Sequence, residues 1–385
     1  MNTRIVKLGS VCTVVSGSTP KSEVDEYWDG DVKWITPAEL TEDSYIITDS
    51  VRHITSQAVH DTSLKPFPEG TVILSSRAPI GKTAIAGCEM YCNQGFKNLI
   101  CSPQIDPKYL YCFLSGKTEY LNSLGRGATF KEISKSIVES IEIPLPELAV
   151  QRQISLQFEH IRALIRQYRK QLHYLDQLVK SRFIEMFGDP VRNDKGWPLA
   201  PLASLAEIKI GPFGSLLHKE DYVHGGHALV NPSHIIDGQI VTDNDLTVSE
   251  AKYAEMGAYH LRRGDIVLGR RGEMGRCAVV YNDGLLCGTG SLIIRPAAEM
   301  LPYFLQKIIS YPTFKESIED MAVGVTMMNL NVPIVSNFMI PLLPLEEQSA
   351  YLRFVEQTDK SKVEIQNALN ELEILKKSLM QQYFG

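Results

Sequence analysis

Apolar residues recur at alternating steps of four and three through the middle of the chain, at Ile154, Phe158, Ile161, Ile165, Tyr168, Leu172, Leu175 and Val179. That spacing is the seam of a coiled coil and predicts one helix from about Gln151 to Phe187. Neither Gly nor Pro interrupts it, and Gly188-Asp189-Pro190 supplies a stop. At the helical rise such a segment reaches about 55 Å, more than local packing needs. A partner must lie along it.

A second stretch, Glu346 to Tyr383, carries Val355, Ile365, Leu369, Leu372, Leu379 and Tyr383 in the same register, broken by Thr358, Lys362 and Lys376. It is the natural partner, because the chain repeats itself. At an offset of 194, Val6-Lys7-Leu8-Gly9-Ser10-Val11 pairs with Ala200-Pro201-Leu202-Ala203-Ser204-Leu205, and Gly70 to Arg77 pairs with Gly264 to Arg271. Gly81-Lys82 pairs with Gly275-Arg276. The offset then drifts to 197, where Ile143-Pro144-Leu145 matches Ile340-Pro341-Leu342, Gln151 matches Gln348 and Phe187-Gly188 matches Phe384-Gly385. The repeated unit is a globular head followed by a long helix. Two such helices bury their stripes by pairing antiparallel, as a rod with a head at each end.

Within each head the pattern is mixed. Short apolar runs behind glycine, at 71–75 and 265–268, predict strands, with 84–86 and 277–280 as hairpin mates. Residues 107–114 and 301–309 predict short helices with Pro in the first turn. The fold class expected is α+β: two pseudo-two-fold-related mixed α/β heads joined by two long antiparallel coiled-coil helices. The predicted boundaries are 1–146 for the first head, 147–188 for the central helix, 189–344 for a linker (Asn193-Asp194-Lys195-Gly196) and the second head, and 345–385 for the C-terminal helix.

Composition narrows the classes without choosing one. At 385 residues, 44% hydrophobic and 22% charged, the chain is ordinary globular material. No window approaches the ~18 apolar residues of a membrane span, and MNTRIVKLGS lacks a signal-like apolar run, so a cytoplasmic location without membrane contact is expected. The cysteines (Cys12, Cys88, Cys92, Cys101, Cys112, Cys277, Cys287) are odd in number and scattered, which suits buried thiols rather than a disulfide framework. Net charge is −6, and only the central helix is basic: residues 147–188 carry 7 Lys+Arg against 4 Asp+Glu. Arg162, Arg166, Arg169, Lys170, Lys180 and Arg182 have one acid, Asp176, among them. A solvated face and a phosphate- or partner-facing stripe both fit this run.

Catalytic signatures are missing. Asn231-Pro232-Ser233-His234 has one proline and no aromatic where an adenine methyltransferase needs paired prolines and an aromatic. No glycine-rich cofactor loop joins a strand to a helix, and no P-loop ending occurs. His218, His224 and His227 cluster near Asp221 on a loop-like stretch with no cysteine at finger spacing, and Cys88 and Cys92 have no second pair. No metal is expected.

The motifs resemble a known family, the specificity subunits of type I restriction-modification enzymes. In the first head the likeness lies in Ser16-Gly17-Ser18-Thr19-Pro20, Tyr27-Trp28, Val32 to Pro37 and Asn93-Gln94-Gly95-Phe96-Lys97. In the second it lies in Ile210 to Ser215 and Cys287-Gly288-Thr289-Gly290-Ser291, with the junctions Ile143 to Pro146, Phe187 to Pro190 and Gly196-Trp197. The resemblance implies two target-recognition domains, each reading half of a bipartite site on double-stranded DNA, with the helices setting the unread gap. It implies as partners two modification subunits that bind S-adenosylmethionine and methylate adenine, and restriction subunits that use ATP and magnesium. It places no cofactor and no catalysis in this chain. Because the first head has Gln94 where the second has Thr289, and the heads otherwise match poorly, an asymmetric site is expected.

Reading DNA needs cations and amides on loops over a rigid scaffold, with phosphate contacts for position and bidentate side chains for sequence. The candidates in the first head are Ser18, Thr19, Lys21, Arg77, Lys82, Asn93, Gln94, Lys97, Arg126, Thr129 and Lys131. Those in the second are Ser215, Lys219, Arg270, Arg271, Arg276, Thr289, Ser291, Thr326 and Asn329. Arg270-Arg271 on a tight turn is the strongest local case, since two guanidiniums can fork onto guanine or phosphate. If Lys82 meets a phosphate, its loss weakens binding to all sequences alike. Two plainer readings stand beside these: ordinary surface arginines, and glycine turns that merely need positive φ. The acidic balance of both heads also suits an adaptor that binds proteins rather than DNA.

Overall fold

The computed structural model describes residues 4–77, 79–127, 131–273, 275–322 and 329–385, without the side chain of Ser215. Two compact units divide the chain, Met1–Lys170 with Ile365–Gly385, and Gln171–Glu364. Each contains one head together with a stretch of both long helices. Those helices run Leu148–Phe187 and Leu345–Phe384, 40 residues each. They start three residues before Gln151 and one before Glu346, the starts expected from the sequence.

In the first unit, hairpin Val72–Leu74 and Thr83–Ala86 has Val72 opposite Ile85. It sits inside a five-stranded sheet completed by Cys12–Ser16, Lys97–Cys101 and Ile46–Ile47. A second sheet holds Trp28–Ile35 between His53–Ile54 and Tyr91–Cys92. The second unit repeats the hairpin as Ile266–Gly269 and Cys277–Val279, with Ile266 opposite Val279, in a four-stranded sheet with Ala206–Ile210 and Ser291–Pro296. Its other sheet pairs His227–Val230 with Leu286–Cys287 in parallel, as Trp28–Ile35 pairs with Tyr91–Cys92. Val72, Ile73 and Leu74 are all fully buried, as are Ile266, Val267 and Leu268. Covering on both faces explains why these strands read as continuous apolar runs rather than alternations.

The short helices are Pro107–Ser115 and Pro302–Ile309, each with Pro in the first turn. Each is bolted to the base of a long helix by one fully buried glutamine. Gln151 Oε1 accepts from Asp106 N at 2.8 Å, and its Nε2 donates to Gln104 O (3.0 Å) and Pro146 O (2.8 Å). Gln348 does the same with Leu301 N (2.9 Å), Glu299 O (3.1 Å) and Leu343 O (2.8 Å). The repeat is therefore one of function at this joint, since three backbone groups that would otherwise lose water are satisfied by one side chain.

The helices pair antiparallel within each unit. In the first, Phe158 stacks on Phe384, and Arg169 reaches Glu373 at 3.3 Å. In the second, Lys362 meets Asp176 at 2.6 Å, and Phe183 packs edge-on to Tyr351. The terminal aromatics enter the cores: Phe384 packs on Tyr109 and Phe113, and Phe187 on Phe304. Ile154, Phe158, Ile161, Ile165, Val355 and Leu369 are buried, whereas Tyr168, Leu172, Leu175, Val179, Ile365, Leu372 and Leu379 are half-buried. Of the residues that interrupt the apolar seam, Thr358 is buried by bonding back to Phe354 O at 2.9 Å, Lys362 is ion-paired, and Lys376 is exposed.

Two expectations change here. The basic run on the central helix is not a uniform free stripe: Arg162 lies over the rings of Tyr45 (4.0 Å) and Tyr111 (4.5 Å). Arg169 pairs with Asp43 at 3.0 Å, and Arg182 with Glu185 at 2.8 Å. For Arg162 and Arg169 the partners are rings and acids distant in sequence, which a local charge count misses. The linker, too, is a tied turn. Asp189 caps the N–H groups of Val191 and Arg192 at 2.9 Å each, and Asn193 brackets Trp197 through both ends of its amide.

Candidate nucleic-acid interface

The motifs scattered through each head converge on one backbone frame. In the first head, Ser76 N donates to Gly95 O (2.7 Å), Ile133 N to Ser76 O (2.9 Å), Asn93 N to Ile35 O (3.2 Å) and Ser18 N to Cys92 O (3.0 Å). In the second, Arg270 N donates to Gly290 O (3.0 Å), Leu330 N to Arg270 O (3.0 Å), Gly288 N to Val230 O (3.0 Å) and Gly211 N to Ser291 O (2.9 Å). Five segments thereby meet in each head: the opening glycine loop, the stretch at Ile35 to Pro37 or Val230 to Pro232, the central hairpin, the Gln-Gly or Thr-Gly turn, and the stretch at Ile133 or Leu330.

The glycines of those last turns do not adopt positive φ. They admit a neighbour instead. A Cβ on Gly95 would stand 2.9 Å from Pro37 Cγ, and one on Gly288 would stand 2.1 Å from Asn231 Oδ1. Asn231-Pro232 is thus a structural turn, the counterpart of Thr36-Pro37. Lys82 and Arg276 secure the two turns alike. Lys82 Nζ donates to the carbonyls of Leu40 and Pro37, and Arg276 Nη1 to that of Pro232 at 3.3 Å while pairing with Glu273. Both side chains thus help to hold the frame together.

The other candidates sort by exposure. Ser18, Thr19, Lys21, Gln94, Arg126 and Lys131 are exposed, and Asn93 is half-buried with Oδ1 accepting from Gly95 N at 2.9 Å. The Thr19 hydroxyl donates to Gln94 Oε1, which fixes that amide. Lys97 is 7% exposed and Ser291 fully buried, the latter donating to Val230 O at 3.0 Å. These two are internal fittings rather than surface groups. In the second head Lys219 and Arg271 are exposed, Thr289 and Asn329 half-buried. Thr129, Thr326 and the Ser215 side chain lie outside the described residues.

Glu132, which sequence reasoning passed over, organises the charge of the first head. Its carboxylate takes Arg77 Nε at 2.9 Å and Lys97 Nζ at 3.1 Å. Burial works to raise its pKa, and the hydrogen bonds from Lys97 and Arg77 outweigh that, leaving it below the usual carboxylate range. Ile133 and Leu330 make the same backbone bond, so Asn329 stands where Glu132 stands. Asn329 Oδ1 accepts from Arg270 Nε at 3.0 Å. Arg270 is only 9% exposed, and no carboxylate among the described residues pairs with it. Burial, and then the adjacent Arg271, push its pKa down. Extending the offset of 197 to position 132 would have exposed the Glu-to-Asn change in the sequence.

Arg52 was missed as well. Its guanidinium lies 3.9 Å over the Trp28 ring, whose Nε1 donates to Lys21 O at 3.3 Å, so it backs the first loop. The histidines disperse: His218 N bonds Asp221 at 2.8 Å, His224 meets Asp245 at 2.8 Å, and His227 meets Glu250 at 2.7 Å. Among the described residues no cluster of His, Cys, Asp and Glu is arranged to hold a metal, and no helix is long and apolar enough to cross a membrane. All seven cysteines are free thiols, and burial pushes Cys277 up to about 11.

Comparison with known proteins converges on one family. The chain is 33% identical over 260 residues to the MjaIX type I restriction enzyme specificity subunit of Methanocaldococcus jannaschii, a match covering 63% of this chain and 60% of that protein. It is 23% identical to the MjaVIII specificity subunit of the same organism, over 98% of this chain and 90% of that one. Its fold matches a chain from a structural study of complex assembly and conformational transition of the type I R-M system, with a TM-score of 0.67 at 19% identity, covering 99% of this chain and 97% of that one. The type I restriction modification DNA specificity domain matches twice, over residues 2–173 and 196–373, and the chain belongs to that family as a two-domain DNA-specificity subunit.

Proposed function

We propose that each head reads one half of an asymmetric, bipartite site on double-stranded DNA, and that the long helices set the unread gap between the halves. The observation that carries this reading is the pairing of one backbone frame with two sets of side chains. Gln94 is replaced by Thr289, Glu132 by Asn329, and Ser76-Arg77 by Arg270-Arg271. A shared scaffold with divergent groups at its rim is what two readers of different sequences need.

In the first head, Ser18, Thr19, Lys21, Asn93, Gln94, Arg77, Arg126 and Lys131 are the proposed contacts. An amide held at its oxygen end, as Gln94 is by Thr19, offers its NH₂ to a base edge. In the second head the proposed contacts are Lys219, Arg270, Arg271, Thr289 and Asn329. The partners proposed are modification subunits that carry S-adenosylmethionine and methylate adenine, with restriction subunits that use ATP and magnesium. This chain supplies recognition without catalysis, in the cytoplasm. Its relatives are specificity subunits, which leaves the protein-binding adaptor without support.

The test assembles the full chain with its modification subunits and maps adenine methylation across a genome. One interrupted, asymmetric sequence is expected, and none from the chain alone. Methylation without sequence preference, or at an uninterrupted site, would overturn the reading.

A further inference from the structure

A buried guanidinium with no carboxylate beside it is costly unless something anionic completes it, because desolvating a charge is offset only by a close counter-charge. Arg270 is such a group, with Asn329 holding Nε at 3.0 Å and Arg271 adding a second positive charge at the mouth. At the equivalent place in the first head the protein supplies its own anion, Glu132, against Arg77 and Lys97. The backbone around the two positions is the same: Ser76 and Arg270 each accept from the residue after Glu132 or Asn329, at 2.9 and 3.0 Å.

We propose that Arg270 and Arg271 form an anion site for a DNA backbone phosphate, and that the Ser76-to-Arg270 and Glu132-to-Asn329 exchanges together decide which head has one. The second head then sets two guanidiniums on one phosphate, whereas in the first Glu132 already offsets one of the two cations beside it. A phosphate oxygen approaching Arg270 meets the Nη groups that Asn329 leaves free, and the Asn329 amide cannot compete for them as a carboxylate would. This rests on the DNA-reading function proposed above, and it adds a difference between the heads that the reading alone does not require.

Asn329→Asp tests it by installing the first head's carboxylate in the second. The full chain assembled with its modification subunits is titrated with specific and non-specific duplexes between 50 and 300 mM salt. The variant should lose about tenfold or more in affinity for both duplexes. Its slope of log affinity against log salt should shallow by about 0.9, one phosphate's worth. Glu132→Gln, which frees Arg77, should leave the slope unchanged or steepen it. Arg270→Met, which removes the buried charge with little loss of volume, must repeat the Asn329→Asp result, so a fold-specific failure of either variant still leaves a test. The methylated sequence should be the same in all three variants. An unaltered salt slope in a folded Asn329→Asp or Arg270→Met complex overturns the proposal, as does a broadened base preference at the second half-site, which would make Arg270 a base reader. A wild-type complex without sequence preference would instead indict the DNA-reading function itself.

Discussion

Replacing Gln151 with Ala should loosen the first head from its own long helix. The side chain is fully buried and satisfies three backbone groups, the N–H of Asp106 and the carbonyls of Gln104 and Pro146, at 2.8–3.0 Å. At a net contribution of about 1 kcal/mol per hydrogen bond the loss is about 3 kcal/mol, rising to about 5 if one group stays dry and unpaired. Against a domain stability of about 5–15 kcal/mol this is severe without abolishing the fold. Hydrogen exchange read by mass spectrometry locates the damage: amides of residues 101–115 and 143–156 should lose protection, while those around Gln348 keep theirs. Gln348→Ala should give the mirror image, in residues 296–309 and 340–353. The joint also fixes how the head leaves the helix, so Gln151→Ala should blur the unread gap of the methylated sequence before it changes any base. A loss under about 1 kcal/mol, or equal exposure around both glutamines, would refute the idea that each glutamine is the bolt of its own joint.

Lys82→Ala should lower stability through the Leu40 and Pro37 carbonyls and leave the salt dependence of DNA binding alone; a shallower slope would return Lys82 to the phosphate contacts. Arg271→Ala should cost about 1–3 kcal/mol of binding, equally for all sequences, because Arg271 joins Arg270 on a phosphate; relaxed preference at one base would make it a base reader instead. The hydrogen bond to Glu250 raises the His227 pKa, burial opposes it, and Gly284 O adds to the rise. The raised value means that the pair's stabilisation is complete below the unfolded value of about 6.5 and fades as pH climbs through the folded one. His227 is stacked on Tyr253, itself stacked on His260. Melting curves of wild type and His227→Gln should therefore converge toward higher pH, and parallel curves would exclude the pair. Because the helices pair antiparallel, four residues inserted after Lys170 alone should misregister the seam. The same insertion repeated after Glu364 should restore it and widen the gap by about two base pairs, from about 6 Å of added helix.

What the sequence made legible was periodic or repeated. The two long helices, both hairpins, the proline-led short helices and the Gln151 and Gln348 correspondence all follow from apolar spacing and one offset. What stayed hidden was pairing at a distance. The lysine at 97 looked like a loop cation, yet it is buried because Glu132, 35 residues on, supplies its counter-charge. The arginines at 162 and 169 looked like a stripe, yet Tyr45 and Tyr111 lie under the first, and Asp43 and Glu373 pair with the second, which stays exposed. The glycines at 95 and 288 read as turn formers, and their lack of a Cβ proved to matter for a passing proline or asparagine. Local chemistry announces a group's capacity, and only the fold says what that capacity is spent on.

The separate duty of the two heads is tested most directly by exchanging residues 1–146 for the corresponding head of another family member and mapping adenine methylation in the assembled complex. One half-site should change, with the other half-site and the gap length retained. A change in both half-sites would contradict the assignment of one reader to each head.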